Sequence, residues 1–286
     1  MLSIPQVCGP LKHTVLQFAD SKPDNGYHIG QHRLQPGKEC GFEEDINVPL
    51  IIRGPGVAKG LTTELVTTHT DLSPTIIKLV GEEPRPDFDG LAIPLHTDEI
   101  ATAEAHPNTW HEHVNVEYWG LAVGEGKFGG NTPIFNNTYK GLRVYSPKYN
   151  LYYSVWCNNV HQLYDINADP GQINNLLSSP KKKHASTTIL GLPITKVAAR
   201  LDSLLFVLKS CKGDRCVNPW SALHPEGDVL TLADALHPKF DAFYEAEQVR
   251  VKYNRCEPGY IIDAEGPQFE DEGLVYRDGV KWSEWV

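Results

Sequence analysis

Two short stretches near the start of the chain have the hydrophobic pattern of buried β-strands. HTVLQFAD begins at His13, and VPLIIRGPGV begins at Val48 and runs into a glycine–proline cluster at residues 54–56. Short apolar runs that stop at glycine and proline are typical of interior strands. We therefore predict two buried strands in this part of the chain.

A helix is predicted in the stretch DLSPTIIKLVG, which begins at Asp71. Asp71 or Ser73 can cap its first turn, Pro74 suits a position inside that turn, and Gly81 ends the apolar pattern. A strand that is followed by a helix indicates an α/β layer.

The pattern changes near Thr138. TYKGLRVYSPKYNLYYSVW alternates apolar with polar residues around a Ser146-Pro147 turn, which predicts a half-exposed antiparallel hairpin. ITKVAARLDSLLFVLKSC repeats apolar residues at helical spacing and predicts an amphipathic helix. We therefore predict an α/β part over residues 1–135. Over residues 136–286 we predict a smaller α+β subdomain with the hairpin, the helix and a turn-rich tail.

Composition and charge narrow the classes of partner. The 286 residues are 41% hydrophobic and 22% charged, which is ordinary for a globular protein, and the formal net charge is -10. This charge argues against nucleic acid as a partner. No apolar run approaches the roughly 20 residues that span a bilayer, and MLSIPQVCGP lacks the pattern of a signal peptide. We expect neither nucleic acid nor membrane as a partner.

Cysteines and one asparagine point instead to a secreted lineage. Cys211 and Cys216 lie in SCKGDRCVNPW, a loop short enough to close as a disulfide, and Cys256 lies in another loop-like stretch. Metal binding by these cysteines is the weaker alternative, because no CxxC pair accompanies them. Asn136, in the tripeptide NNT, is a candidate glycosylation acceptor.

The stretch PDNGYHIGQHRLQPGK combines a turn signal with candidate ligands. Asp24-Asn25-Gly26 alone would predict a tight hairpin turn. The residues that follow do not alternate as a returning strand does, and Pro36-Gly37 interrupts them, so we predict a loop after a strand. In an open α/β sheet, ligands bind at the carboxyl ends of strands, where such a loop lies.

The chemistry of this loop suits a metal ion and an anion. The Asp24 carboxylate and the Asn25 amide oxygen are hard ligands of the kind that Ca²⁺ or Mg²⁺ prefers. Lys38 adds a compact positive charge for a tetrahedral oxyanion such as sulfate or phosphate. Because Ca²⁺ takes about six to eight oxygen ligands, the remaining ligands must come from elsewhere.

Other histidines have simpler interpretations. His69 precedes Asp71 at the predicted helix start, where capping is the simpler role. His106, His111 and His113 have spacing that could hold a metal, but no third ligand type accompanies them, and we predict a surface loop.

Five blocks of sequence carry a family resemblance. They are, in chain order, DNGYHIGQHRLQPGK, EEDINVPLIIRGPGV, HTDLSPTIIKLVG, DFDG and YSVWCNNVHQLYDINADPGQINNLL. Together they resemble the later half of a formylglycine-dependent sulfatase, with the fungal arylsulfatases most similar, over residues 24–286. The resemblance implies part of an alkaline-phosphatase-like α/β core, followed by a smaller α+β subdomain with an antiparallel sheet. It also implies hydrolysis of sulfate monoesters with a divalent cation, usually calcium.

The resemblance also implies roles for individual residues. Asp24 and Asn25 match calcium ligands of the family, and Lys38 matches the catalytic lysine that contacts the substrate's sulfate group. His28 and His32 fall in the same loop and are expected to line the substrate pocket or to have a structural role, and not to be catalytic.

Family members use a formylglycine nucleophile made from a Cys/Ser-x-Pro-x-Arg motif that precedes the Asp-Asn block. This chain lacks that motif: CGPLK, which begins at Cys8, has lysine in place of the arginine, and we interpret its cysteine as an ordinary thiol. We therefore expect a sulfuric ester hydrolase by family that is inactive as this chain alone.

Two alternatives remain open. One is a non-catalytic fragment or pseudoenzyme that acts as a binding partner, and the other is a phosphodiesterase or phosphatase of the same superfamily. A core sheet without its early strands would also expose an apolar edge, which an oligomer or partner chain could cover. By resemblance, the expected location is secreted or endomembrane.

Overall fold

A computed structural model describes residues 25–106, 110–125, 133–178 and 188–269 of the chain. The predicted strand at His13, the CGPLK stretch and the candidate ligand Asp24 lie outside the described residues. Within the described ranges, no helix combines the length and the apolar character needed to cross a bilayer.

Strands and helices alternate with long irregular stretches. The strands are β1 (His113–Tyr118), β2 (Ala122–Val123), β3 (Pro133–Ile134), β4 (Tyr139–Ser146), β5 (Tyr149–Trp156), β6 (His161–Asp165), β7 (Thr188–Ile189) and β8 (Leu192–Pro193). The α-helices are α1 (Glu43–Ile46), α2 (Leu72–Leu79), α3 (Thr97–Ala105), α4 (Ile194–Leu208), α5 (Asp214–Val217), α6 (Pro219–Leu223) and α7 (Leu232–Ala235).

A four-stranded antiparallel sheet in the order β1-β4-β5-β6 organises the second half of the chain. The predicted hairpin is confirmed: β4 pairs with β5, and Ser146 lies opposite Tyr149 across the Pro147-Lys148 turn. β1 lies before residue 136 but pairs with β4 along its whole length. The domain boundary at residues 135/136 stays a prediction.

The prediction that the hairpin is half-exposed is wrong, because both faces of the sheet are covered. One face, which includes Leu151, Tyr153 and Val155, packs in the main core with α4. On the other face, Tyr152 is completely buried and clusters with residues of β6 and α1. Apolar and polar residues therefore alternate in the sequence although both faces of the sheet are buried, one against α4 and the other against the segment of α1.

The long helix α4 confirms the predicted amphipathic helix, and its apolar side forms the centre of the core. Leu201, Leu204 and Leu205 have no exposed surface. Its polar side is buried as well: Arg200 donates to Asp241 at 2.6 Å and lies 4.5 Å from the centre of the Tyr244 ring. Pairing of the buried guanidinium offsets its desolvation.

Two disulfides join segments around this core. Cys211 and Cys216 are bonded, as predicted, and Cys256 is bonded to Cys157, 99 residues earlier in the chain. Removing a native disulfide typically costs about 2–5 kcal/mol, so the longer crosslink contributes substantially to the fold.

In the first part of the chain, the predicted helix forms as α2, but the predicted strand at Val48 does not. Residues 48–53 alternate between partly buried and exposed side chains, as in a strand, yet form no strand ladder. The physical reason is that no other strand among the described residues lies beside them. Ile51 is consequently 57% exposed.

Glu112 links the sheet to the helices that follow it. Its carboxylate accepts hydrogen bonds from the Leu232 amide at 2.7 Å and the Trp220 indole at 3.1 Å, and it also bonds the Tyr149 hydroxyl. Burial raises the pKa of the Glu112 carboxyl to about 7. The folded protein therefore holds a proton at Glu112 that the unfolded chain loses near its ordinary pKa of 4.5.

We predict that this proton contributes stability in acid that is lost at neutral pH. The contribution is fully present below pH 4.5 and is lost as the pH rises through about 7. Glu112→Gln keeps the acceptor oxygen without the titration, so it should remove this contribution, which changes by about 1–3 kcal/mol between pH 5 and pH 8. Denaturant unfolding at several pH values measures this. The same pH slope in wild type and variant would contradict it.

Candidate active-site loop

The described part of the candidate loop, which starts at Asn25, is closed by backbone pairing. His28 and Gly37 exchange two backbone hydrogen bonds of 2.9 and 3.0 Å, and the Gly26 amide donates to the Asp45 carbonyl at 2.7 Å. A Cβ atom at Gly26 would collide with the carbonyl of Glu44, so this close approach requires glycine. The prediction of a loop is confirmed for residues 25–38, whereas the strand expected before it lies outside the described residues.

Asp45, in α1, holds the two ends of the loop with one buried carboxylate. His28 Nδ1 lies 2.9 and 3.0 Å from its two oxygens, and the Cys40 amide donates to Oδ2 at 2.9 Å. All three residues are buried. Sequence analysis missed Asp45, although it lies in the EEDINVPL block that carries the family resemblance.

His32 lies on the outer part of the same loop. It adopts a positive φ of 55° and stacks on Phe42, with ring centres 3.7 Å apart. Its Nε2 lies 3.7 Å from a carboxylate oxygen of Glu44. These contacts hold the ring against the segment that enters α1.

A cleft of about 940 Å³ lies beside the loop, and Asn25 and Lys38 both line it. Lys38 is partly buried. Cys40 and Asp45 contribute to the same wall, whereas neither His28 nor His32 lines the cleft. The lining also includes a group of apolar residues: Val48, Leu50, Ile52, Ile93, Leu95 and Ile100. The candidate cation ligand Asn25 and the candidate sulfate-binding lysine Lys38 thus lie in the wall of the same cleft.

The loop contains two sets of candidate metal ligands, and each suits a different kind of ion. Asn25 offers an amide oxygen, which suits a hard cation, and among the described residues it is the one predicted ligand of that kind. His28, Cys40 and Asp45 have ligand atoms within 4.8 Å of one another, a donor set that suits a softer ion. However, the Asp45 oxygens already accept from His28 and the Cys40 amide, so this cluster has a structural function without metal.

Cys40 is the free cysteine among the described residues, and it lies in the wall of the cleft. Burial and the nearby carboxylates of Asp45 and Glu39 raise the pKa of its thiol to about 12. Thiolate is the nucleophilic form of cysteine, so burial keeps this residue in its less reactive, protonated form at neutral pH.

The surface-loop prediction is wrong for two of the three other histidines. His111 and His113 are buried at the start of β1, whereas His106 is exposed. His111 Nε2 lies 3.1 Å from Asp71, and His113 Nε2 bonds the carbonyl of Cys216 at 2.8 Å. Burial lowers the pKa of His113 to about 3, so the ring is neutral. These histidines connect the sheet to its neighbours.

We predict that Asp45→Asn destabilises the fold, because the amide places an NH2 donor where one carboxylate oxygen lies and leaves a single uncharged oxygen to accept from His28 and the Cys40 amide. The expected loss is about 1–3 kcal/mol of unfolding free energy, measured by denaturant unfolding. Glu44→Gln, on the neighbouring and partly exposed carboxylate, is the matched control and should change stability by less than about 0.5 kcal/mol. Equal effects of the two substitutions would contradict the role given to Asp45.

Comparisons with known proteins agree with the resemblance. A family model described as "Sulfatase" matches residues 12–82. The chain is 42% identical to "Sulfatase ppz1" of Metarhizium majus over 85% of this chain and 48% of that protein. It is 34% identical to the arylsulfatase of Chlamydomonas reinhardtii, over 92% of this chain and 40% of the relative. With N-acetylglucosamine-6-sulfatase of Bos taurus it shares 30% identity over 74% of this chain and 37% of the relative.

A solved structure, BT4656 in complex with its substrate D-glucosamine-2-N,6-O-disulfate, is similar at a TM-score of 0.43 and 20% identity. The match covers 59% of this chain and 31% of that one.

The chain therefore spans about half the length of its fungal relative and less of the others. The predicted fold class, a partial α/β sulfatase core with an antiparallel sheet, is confirmed. These findings identify the chain as a relative of the sulfatase family over most of its length.

Proposed function

We propose that this chain supplies one side of the active site of a sulfate-ester hydrolase. The observation that carries the proposal is that Asn25 and Lys38 line one cleft. Lys38 contacts the sulfate group of the substrate and offsets negative charge on it during transfer. Asp24 and Asn25 hold a divalent cation, Ca²⁺ by family, which acts as a Lewis acid and a template when bound.

His28 and His32 have supporting functions in this proposal. His28 forms a hydrogen bond with the buried Asp45 carboxylate, and His32 stacks on Phe42. Both contacts hold the loop that presents Lys38, so the two histidines shape the substrate pocket without proton transfer.

Residues 48–53 support the further proposal that more polypeptide covers this side of the cleft, from a second copy or a partner chain. Their side chains alternate between cleft wall and solvent, and their backbone forms no ladder. Exposed edges of this kind pair readily with another strand. The same observation favours the alternative function, a non-catalytic chain that acts as a binding partner.

A secreted or endomembrane location is part of the proposal. Disulfides persist in oxidising compartments, and four cysteines of the described residues are bonded in pairs.

Removing the Lys38 charge should weaken sulfate binding. We expect the chain to bind radiolabelled sulfate in equilibrium dialysis, more tightly with Ca²⁺ than with a chelator. Lys38→Ala should weaken sulfate binding at least tenfold, because it removes the lysine ammonium group that contacts the sulfate. Lys148→Ala is the matched control, since Lys148 is an exposed lysine at the turn of the hairpin. Equal affinity in the two variants would overturn the role of Lys38.

Hydrolysis assays distinguish a non-catalytic chain from a complete sulfatase and from a phosphodiesterase. We predict no hydrolysis of p-nitrophenyl sulfate by this chain alone with Ca²⁺, because the nucleophile motif is absent from its sequence and Cys40 is protonated. Calcium-dependent release of p-nitrophenol that Lys38→Ala abolishes would show a complete sulfatase instead. Hydrolysis of a phosphate diester that is faster than that of the sulfate would favour the phosphodiesterase.

A further inference from the structure

A glycosylation motif lies in the loop between β3 and β4. Asn136-Asn137-Thr138 has the Asn-x-Thr spacing of an acceptor, and Asn136 is exposed with a φ of 68°. Beside it, Ile134 and Phe135 are 52% and 63% exposed. A glycan on Asn136 would cover part of this apolar surface.

The two disulfides are an independent observation that points to the same modification. Cys157–Cys256 and Cys211–Cys216 require an oxidising compartment, and in eukaryotic cells the compartment that forms disulfides also attaches N-linked glycans. This inference does not depend on the proposed hydrolase activity.

The threonine of the motif is closed off in the folded chain. Thr138 is 3% exposed. Its hydroxyl donates to the Glu257 carbonyl at 3.1 Å and accepts from the Gly120 amide at 2.8 Å. Its carbonyl accepts from the Cys157 amide at 2.9 Å. Because Glu257 follows Cys256 directly, the Cys157–Cys256 disulfide joins two of the three segments that contact this threonine.

We propose that Asn136 is an N-glycosylation site that is modified before the Cys157–Cys256 disulfide closes. A transferase has to reach the threonine hydroxyl as well as the asparagine amide, because both define the acceptor motif. The Asn136 amide nitrogen loses a proton and bonds the anomeric carbon of a lipid-diphosphate-linked oligosaccharide. The bond from that carbon to the diphosphate oxygen breaks, the oxygen keeps the electron pair, and the lipid diphosphate leaves while the amide proton passes to solvent. No oxidant or reductant is consumed.

Modification is tested by expressing the full chain in yeast behind an added secretory leader that carries its own acceptor motif. Peptide N-glycosidase converts a glycosylated asparagine to aspartate, which peptide mass spectrometry detects. We expect conversion at residue 136 in wild type and in Asn137→Gln, which keeps the motif, and none in Asn136→Gln. A modified leader together with unmodified Asn136 in wild type would overturn the proposal.

The order of events is tested with unglycosylated chain, purified with both disulfides closed, and with the same chain after reduction. Solubilised oligosaccharyltransferase and its lipid-linked donor are added to each. We expect the reduced chain and Cys256→Ser to be modified at least tenfold faster than the oxidised wild type. Cys211→Ser opens only the other disulfide and should remain as slow as the oxidised wild type. Equal rates for oxidised and reduced wild type would overturn the proposed order.

Discussion

The buried carboxylate of Asp45 is the interaction on which the geometry of the candidate site depends. It accepts hydrogen bonds from His28 and from the Cys40 amide, on either side of Lys38 in the chain. The backbone of Asp45 also accepts from Gly26, next to the candidate ligand Asn25. Because a buried carboxylate without partners is costly, these hydrogen bonds fix the loop in one conformation. The positions of Asn25 and Lys38 therefore follow from one structural residue.

The sheet extends this constraint to the rest of the molecule. Arg143 in β4 forms two hydrogen bonds of 2.6 and 3.2 Å with Glu43, two residues before Asp45 in α1. The Glu43 amide in turn donates to the Gln172 side chain at 2.7 Å. Tyr152 and Tyr164 of the same sheet face pack beside α1. The face of the sheet that is opposite α4 thus serves as the platform for the candidate loop.

Local patterns predicted the elements whose stability is local or whose partners are close in sequence. The hairpin of β4 and β5, the helices α2 and α4 and the Cys211–Cys216 disulfide are all of this kind. The prediction of a strand at Val48 was wrong because a β-strand forms only when it pairs with a neighbouring strand, and a hydrophobic run in the sequence does not show whether such a neighbour is present. His111 and His113 were misplaced because burial by distant segments, including the loop at Cys216, leaves no local signal.

The sequence predicted the candidate ligands of the site but not the residues that hold them in place. Asn25 and Lys38 were found because their chemistry is legible in residue type and spacing, and because the surrounding blocks resemble a family. Asp45 was missed because the sequence does not distinguish a buried, hydrogen-bonded aspartate from an exposed one. Only its contacts with His28 and the Cys40 amide in the fold show its role. Cys40 was also missed, and its burial explains why it has no reactive function.

The central claim is that the loop of Asn25 and Lys38 binds a cation and a sulfate side by side. A crystal structure of this chain grown with Ca²⁺ and sulfate tests it most directly. The account predicts sulfate within hydrogen-bonding distance of Lys38 Nζ, and Ca²⁺ on oxygens of Asp24 and Asn25 in the same cleft. Sulfate bound elsewhere, with the Lys38 amine directed away from the cleft and no cation at Asn25, would contradict it.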